Sequence, residues 1–258
     1  SPETAMAVIA ELGARLQSLN GTLAILTQAA RALAADRFEP DMMEILRRRA
    51  DEVGHFADVF LEMASEIREK RLVAHQMAAA AQIQQALLPT GIDAGARAAA
   101  FEIAAAMTPA RHVGGDFYDY FMIDAETVGV AVGDVSGKGV PAAIFMSVSR
   151  TVLRTVARRD LPPGHTLAEV NALLSEGNSE AMFVTLAFGK LDLRDGRFTY
   201  AAGGHEEVLF VGPGTGVSTT SPTGPALGLF ATAEFGEIIR ILAPGETIVF
   251  ATDGITEA

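Results

Sequence analysis

The sequence predicts an α+β protein with a helical N-terminal part and a C-terminal part of short strands and helices. Apolar residues over roughly the first 88 positions recur at alternating spacings of three and four, the period of packed helices. From about residue 99, short strand-forming runs are separated by Gly, Pro and Asp: "FEIAAAM", "TVGVAVGD", "MFVTLAFGKLDL", "RFTYAAGG", "VLFVG", "IIRIL" and "ETIVFATDG". Two helical stretches, "PAAIFMSVSRTVLRTVARR" and "TLAEVNALLSEG", interrupt them. These strands do not alternate regularly with helices, which disfavours a doubly wound parallel sheet.

The composition is that of a globular chain of one or two domains. Of 258 residues, 49% are apolar and 20% charged, enough for a sizeable core. The net charge of −12 disfavours nucleic acid or an anionic membrane surface as the main partner. The absence of Cys excludes disulfides and indicates a reducing compartment. No run approaches the roughly 18 apolar residues of a membrane span, and no signal peptide is recognisable. We therefore expect a cytoplasmic chain, although a longer parent protein could be anchored in a membrane upstream.

Two heptad seams define the N-terminal helices. The first consists of Ile9, Leu12, Leu16, Leu19, Leu23, Leu26, Ala30 and Leu33. The second consists of Phe56, Phe60, Met63, Ile67, Lys70, Ala74, Met77, Ala81, Gln84 and Leu88. A connector containing Pro40 separates them. Periodicity alone leaves an antiparallel hairpin and a parallel four-helix dimer both open. The polar seam positions Lys70 and Gln84 suit a helix that changes register.

The stretches "LTQAARALAADRFEP" and "RRRADEVGHFADVFLEMASEI" resemble a HAMP signalling domain, with Asp51-Glu52-Val53-Gly54 matching its acidic-Glu-apolar-Gly motif. The resemblance implies a parallel homodimer whose helices change packing to pass on a signal. The second helix continues until Pro89, and "TGIDAGARA" (90–98) is the expected domain boundary. The predicted organisation is an upstream helix (1–19), a HAMP-like domain (20–71), a coiled-coil linker helix (72–89) and a second domain (99–258).

Three acidic motifs carry the candidate chemistry. They are "GGDFYDYF", "VGDVSGKG" and "ATDGITEA", and each places an Asp beside Gly at the end of an apolar run: Asp116, Asp134 and Asp253. "GDVSGKG" is not a P-loop, because only three residues separate its first Gly from the Gly-Lys pair, where a P-loop has four, and Gly139 follows the Lys. Clustered carboxylates suit hard cations such as Mn²⁺ or Mg²⁺, which offset their mutual repulsion.

Residues from about 82 onward resemble the stress-response and sporulation branch of the PPM (PP2C-like) serine/threonine phosphatases. The matching stretches are "AQIQQALLP", "GGDFYDYF", "GDVSGKGVPAA", "MFVTLAFGKLD", "AAGGH", "GPALGLF" and "LAPGETIVFATDGITEA". The resemblance implies a two-sheet β-sandwich flanked by helices, with two Mn²⁺ or Mg²⁺ ions at one end. It implies that Asp134 bridges both metals, that the Val135 carbonyl and Asp253 are ligands, and that Asp116 holds metal-bound waters. It further implies direct hydrolysis without a phosphoenzyme, with Asp116, Asp134 and Asp253 as the catalytic residues.

Two departures from the family pattern matter. Glu206 and Glu207 stand where the family has a neutral turn, and we expect a solvated loop there. The family also continues past the position of Ala258 with a further Asp-Asp motif that supplies a metal ligand. From a C-terminally incomplete phosphatase-like domain we expect weak or no activity, with activity in a full-length parent.

The leading function is therefore a metal-dependent phosphoserine/phosphothreonine protein phosphatase controlled by a dimeric helical switch. Its implied substrate is a phosphorylated anti-sigma-factor antagonist of the STAS type. A non-catalytic HAMP-dimerised scaffold is the alternative, and a nucleotide cyclase is disfavoured because no cyclase base-reading residues are recognisable. The five His show no metal-ligand spacing, and for His205 we expect a structural role at a turn.

Overall fold

The computed structural model describes residues 2–93, 95, 100–108, 113–213 and 216–256. The chain divides into two compact units, Ser1–Gln76 and Met77–Ala258. The expected boundary at 90–98 lies partly outside the described residues. The predicted domain limits therefore stay a prediction.

The first unit is helical, and its core lies around the connector. Its elements are α1 (Pro2–Ala34), a 3₁₀ helix (Pro40–Met43), α2 (Glu44–Arg47) and α3 (Glu52–Leu87), of which α3 continues into the second unit. Phe38, Met43 and Leu46 from the connector are buried with Ala29 of α1 and Phe60 of α3. The connector thus supplies much of the apolar surface that holds the two long helices together.

Arg71 establishes the relative direction of α1 and α3. It lies well inside α3, yet it donates a hydrogen bond of 2.9 Å to the carbonyl of Leu33 and pairs with Asp36 at 3.0 Å. Leu33 is at the C-terminal end of α1, which in an antiparallel hairpin would face the beginning of α3. The two helices therefore run in the same direction, and the connector returns along their length.

The start of α3 explains two residues of the acidic-Glu-apolar-Gly motif. The backbone N–H of Gly54 donates to Oδ1 of Asp51 at 3.3 Å, which satisfies one of the free donors of the first helical turn. A Cβ on Gly54 would overlap the carbonyl oxygen of Arg49. Glycine is therefore needed where the connector turns into the helix.

The first heptad seam is exposed along α1 from Ile9 to Leu23. Ile9, Leu12, Leu16, Leu19 and Leu23 each retain more than half of their side-chain exposure. A row of five apolar side chains at heptad spacing is a surface that a coiled-coil partner covers.

The second unit contains two antiparallel sheets flanked by helices, as predicted. The larger sheet has the order β1-β2-β3-β4-β7, and its strands are β1 (Phe117–Met122), β2 (Thr127–Val135), β3 (Val184–Asp192), β4 (Arg197–Gly203) and β7 (Ile238–Ile241). The smaller sheet has the order β6-β5-β8, from β5 (Val208–Gly212), β6 (Gly216–Thr220) and β8 (Thr247–Val249). The helices are α4 (Val140–Ala157), α5 (Pro163–Ser175) and the short α6 (Asp253–Thr256).

The central strands of the larger sheet are buried on both faces. Leu186 and Phe188 of β3 pack into the core beneath α4 and α5, whereas Ala187 between them faces the core shared with the smaller sheet. Successive residues of a strand point to opposite faces. The run "VTLAFG", apolar except for Thr185, therefore reflects a strand covered by helices on one side and by a sheet on the other.

Two details differ from the expectations from sequence. The run "FEIAAAM" (101–107) was predicted as a strand but has no regular secondary structure, and β1 and β6 were not among the predicted strands.

Among the described residues, α4 alone has the length and mean hydropathy, 1.2, of a membrane span. Its Ala142, Met146 and Leu153 are fully buried in the core, as in the core helix of a globular fold.

Candidate metal-binding active site

The β1–β2 hairpin brings two of the three predicted acidic residues together. Phe117 pairs with Gly133, and the same antiparallel register continued by one residue sets Asp116 opposite Asp134. A Cβ on Gly133 would lie 2.6 Å from the Phe117 ring. Glycine before Asp134 is thus explained by packing at this end of the hairpin.

The two carboxyl groups interact directly. Burial, together with a hydrogen bond and charge repulsion from Asp116, raises the pKa of Asp134 from 3.8 to about 7, and the charge of Asp253 adds to the effect. Like charges this close are costly unless a proton or a cation neutralises them. The hairpin end is therefore a place where a cation is favoured once the proton has left.

The third acidic residue, Asp253, reaches the same place from the C-terminal segment. It begins α6 and acts on Asp134 through its charge rather than through a hydrogen bond. The hydroxyl of the preceding Thr252 donates a hydrogen bond of 2.8 Å to Oδ2 of Asp116. Thr252 thus orients one carboxylate of the acidic cluster, by which we mean Asp116, Asp134 and Asp253.

The carbonyl of Val135 lies against the backbone before Asp116. A Cβ on Gly115 would sit 2.5 Å from the Val135 carbonyl oxygen and 3.1 Å from its Cβ. Only glycine allows this approach, which places the carbonyl beside the segment that carries Asp116.

The loop after Val135 is a turn and not a phosphate cradle. Ser136 exchanges two hydrogen bonds with the backbone of Phe183, donating from its N–H at 2.9 Å and accepting at its hydroxyl at 3.0 Å. Gly137 and Gly139 have φ of +86° and +79°, in the region that favours glycine. Lys138 between them is exposed. The glycines let β2 turn sharply into α4.

His205 lies inside the site, which the sequence alone did not indicate. Its Nδ1 is 3.1 Å from the Thr185 hydroxyl, and that hydroxyl donates a 3.4 Å hydrogen bond to the carbonyl of Asp134. Burial lowers the pKa of His205 to about 4, and the charges of Asp116 and Asp253 and the backbone of Ala251 only partly offset this fall. Nε2 is buried and has no hydrogen-bond partner of normal geometry within the described residues.

Gln84 connects the end of α3 to the same segment. Its Nε2 donates to the carbonyl of Gly114 at 2.6 Å, and its Oε1 accepts from the Gly114 N–H at 3.2 Å. Gln84 is 5% exposed and Leu88 is 7% exposed, both within the second unit. The last two seam positions therefore pack into this unit itself, and the expectation that Gln84 is a polar position on a dimer seam was wrong.

A buried ion pair that the sequence analysis did not predict holds α4 against β1. Asp119 is fully buried and lies 3.1 Å from Arg150 and 3.3 Å from Arg154. Burial raises the pKa of Asp119, although both guanidinium groups act to lower it. Asp119 is thus a packing residue of the hairpin whose first end carries Asp116.

The donor set suits a hard divalent cation. Carboxylate oxygens and a main-chain carbonyl are the ligands that Mn²⁺ and Mg²⁺ prefer, and the negative charges of Asp116 and Asp253 both act on Asp134. Within the described ranges, no group of three acidic or His side chains is already arranged as a complete ligand set. The carboxyl pair and the Val135 carbonyl are the residues that fit such an ion best.

The raised pKa predicts that the metal-free protein loses stability as the pH rises. Between about pH 4 and about pH 7 the unfolded chain releases the Asp134 proton while the folded chain keeps it, so the free energy of unfolding falls. We expect the Tm of metal-free wild type to drop over this range relative to Asp134→Asn. Mn²⁺ should restore the wild-type Tm above pH 7. Parallel Tm curves for the two proteins would contradict the assignment.

Residues 124–258 match the family described as Stage II sporulation protein E (SpoIIE), which is more than half of the chain. The chain belongs to the SpoIIE family. Among its relatives, protein IcfG of Synechocystis sp. is 30% identical over 90% of this chain and 42% of IcfG. Phosphoserine phosphatase RsbU of Bacillus subtilis is 31% identical over 69% of this chain and 52% of RsbU. The chain thus spans about half the length of these curated relatives.

The fold of this SpoIIE-family chain is that of PP2C phosphatases. The SiaA-PP2C domain of Pseudomonas aeruginosa superposes with a TM-score of 0.60 at 25% identity, covering 72% of this chain and 74% of that domain. The predicted two-sheet architecture and the sporulation/stress-regulator branch are therefore confirmed. The family match includes Asp134 and Asp253, whereas Asp116 lies before it.

Proposed function

We propose that this chain is part of a metal-dependent phosphoserine/phosphothreonine protein phosphatase. The observation that carries the proposal is the Asp116–Asp134 carboxyl pair, placed at the end of the β1–β2 hairpin in a SpoIIE-family fold. Support for the substrate class comes from RsbU, which is named a phosphoserine phosphatase.

Each predicted site residue has a proposed role. Asp134, the Val135 carbonyl and Asp253 would hold two Mn²⁺ or Mg²⁺ ions, and Asp116 would position water beside them. Bound ions of this kind supply an activated water and neutralise phosphoryl charge. Thr252 keeps the Asp116 carboxylate in one orientation through its 2.8 Å hydrogen bond. Gly115 allows the Val135 carbonyl to lie close to the backbone that carries Asp116.

We propose a phosphorylated anti-sigma-factor antagonist of the STAS type as the substrate, because the stress-response and sporulation branch acts on such proteins. The site lies at the open end of a hairpin and its acidic groups are only partly buried. A phosphorylated side chain on a folded protein partner can approach such an open site.

For regulation, we propose a HAMP-like parallel homodimer. Three features support it. The helices α1 and α3 run in the same direction, Gly54 at the start of α3 packs closely against the carbonyl of Arg49, and the seam of α1 is exposed. The helix α3 is continuous, and Gln84 in its last turn is hydrogen-bonded to Gly114. A shift of this helix would therefore displace the backbone two residues before Asp116.

The proposal is tested with the full-length protein, Mn²⁺ and a phosphorylated STAS-type protein, measuring phosphate release. The alternative, a non-catalytic scaffold, draws support from the absence of a complete three-side-chain ligand set in the described part of the chain. Phosphate release that depends on Mn²⁺ would exclude the scaffold. Partner binding without any release would exclude the phosphatase.

If Gln84 couples the helix to the site, Gln84→Leu should lower kcat about tenfold in the full-length protein. The change removes both hydrogen bonds and leaves the N–H and C=O of Gly114 without partners, at roughly 1–3 kcal/mol for each buried group. The segment before Asp116 would then adopt several positions. Initial rates of phosphate release, measured over a range of substrate concentrations, separate kcat from KM.

Gln85→Leu is the matched control, because the neighbouring Gln85 is exposed. We expect it to keep wild-type kcat and wild-type response to the upstream signal. Equal activity in Gln84→Leu and Gln85→Leu would show that Gln84 does not couple α3 to the acidic cluster.

A further inference from the structure

One buried ring, that of His205, lies beside the acidic cluster. His205 follows β4 through Gly204, whose φ of +61° turns the chain toward the interior. A Cβ on Gly204 would lie 2.8 Å from the backbone nitrogen of Ala226. The turn is therefore built with glycine so that the next side chain points inward, and His205 is 3% exposed as a result.

One side of the ring reaches Asp134 through a hydroxyl. Thr185 pairs with Asp134 across β2 and β3, and its hydroxyl lies between the Asp134 carbonyl at 3.4 Å and His205 Nδ1 at 3.1 Å. The main-chain carbonyl of Asp134 belongs to the peptide that precedes Val135. Any movement of this hydroxyl is thus passed to the peptide that presents both proposed ligands.

The other side of the ring faces the C-terminal segment. The backbone of Ala251 acts on the ring, and the next two residues are Thr252, which bonds Asp116, and Asp253. His205 Nε2 is buried and unpartnered within the described residues. A buried polar atom without a partner is rare in folded proteins and is often found where a functional group is held ready.

We propose that His205 is a positioning residue of the acidic cluster, which holds the Asp134 main chain in place through Thr185. This inference rests on the proposed metal-dependent function but concerns metal binding itself. Removing groups that hydrogen-bond to ligand-bearing residues typically weakens metal affinity about 10- to 100-fold. His205 is not expected to touch the substrate.

The test measures Mn²⁺ affinity directly in the full-length protein, by calorimetry and by the paramagnetic resonance signal of free Mn²⁺. We expect His205→Ala and Thr185→Val to raise the Kd about tenfold each. Because both act through one contact, the double variant should be little worse than either single variant. His205→Asn, which keeps a polar atom near the Nδ1 position, and Thr185→Ser should restore most of the affinity.

The control is His165→Ala, which removes an exposed imidazole on α5 and should leave the Kd unchanged. Thr185→Val keeps the shape of the side chain, so that a folding defect of His205→Ala does not decide the result. Wild-type Kd in both His205→Ala and Thr185→Val would overturn the proposal, as would a wild type that binds no Mn²⁺ at millimolar concentration.

The two proposals fail in different ways. A wild type that binds Mn²⁺ in a His205-dependent manner but releases no phosphate refutes the phosphatase and leaves the positioning role intact. A wild type that releases phosphate while His205→Ala and Thr185→Val bind Mn²⁺ normally refutes only the positioning role.

Discussion

Asp134→Asn is expected to lower kcat/KM of the full-length protein by about 100- to 1000-fold. Asn keeps the size of the side chain but removes the charge that, in our proposal, would hold the ions. Metal ions supply several kcal/mol of transition-state stabilisation, and each 1.36 kcal/mol corresponds to roughly a tenfold change in rate. The measurement is Mn²⁺-dependent phosphate release from a phosphoserine peptide, together with the Mn²⁺ Kd.

The matched control is Asp195→Asn, an exposed residue in the β3–β4 turn whose Oδ1 accepts a hydrogen bond that Asn can also accept. It should retain wild-type activity. Because position 134 carries no charge in Asp134→Asn, this variant should also be more stable than wild type above pH 7 when both are free of metal. Wild-type turnover by Asp134→Asn would remove this residue from the chemistry.

Gly115→Ala should cause the second largest loss, about 100-fold in kcat. The added Cβ would lie 2.5 Å from the Val135 carbonyl oxygen, a backbone atom that cannot move without distorting β2. Overpacking of this kind costs about 1–3 kcal/mol of stability. The relief of the clash shifts Asp116 or the carbonyl, and a displacement of about 1 Å can cost 100-fold in rate.

Gly114→Ala provides an unusually close control. The adjacent glycine has nothing within 4 Å of its Cβ position, so that Ala fits without displacement, and its hydrogen bonds with Gln84 use only backbone atoms. We expect it to keep at least about half of the wild-type rate. Comparable losses in both variants would show that the segment needs flexibility rather than close approach to Val135.

The local patterns predicted most of the second unit. Period-two runs such as "RFTYAAGG" became β4, and "PAAIFMSVSRTVLRTVARR" became α4. The run "FEIAAAM" failed because strand propensity matters only where a neighbouring strand supplies pairing, and this run has none in the structure. The parallel direction of α3 relative to α1 is shown by the contact of Arg71 with Leu33, which are far apart in the sequence. Hydrophobic periodicity carries no information on such a contact.

The acidic cluster was found from sequence because each carboxylate sits in a recognisable Gly-Asp or Asp-Gly motif. The residues that orient it were not, because they come from far along the chain. Thr252 reaches Asp116 and His205 reaches Thr185 through contacts that no local pattern marks. Gln84 was assigned to the seam because the heptad spacing continues unbroken through it, although its side chain is used by the second unit.

The Gln84–Gly114 contact also limits how strong the proposed regulation can be. If the regulation acts through this contact, the ratio of competent to incompetent molecules without a signal is set by the free energy that separates the two helix positions. Two hydrogen bonds, each with a net contribution of roughly 0.5–1.5 kcal/mol, would separate them by about 1–3 kcal/mol, a ratio of roughly 5- to 150-fold. The proposed regulation would then leave a measurable activity in the less active state, and not an absolute on–off control.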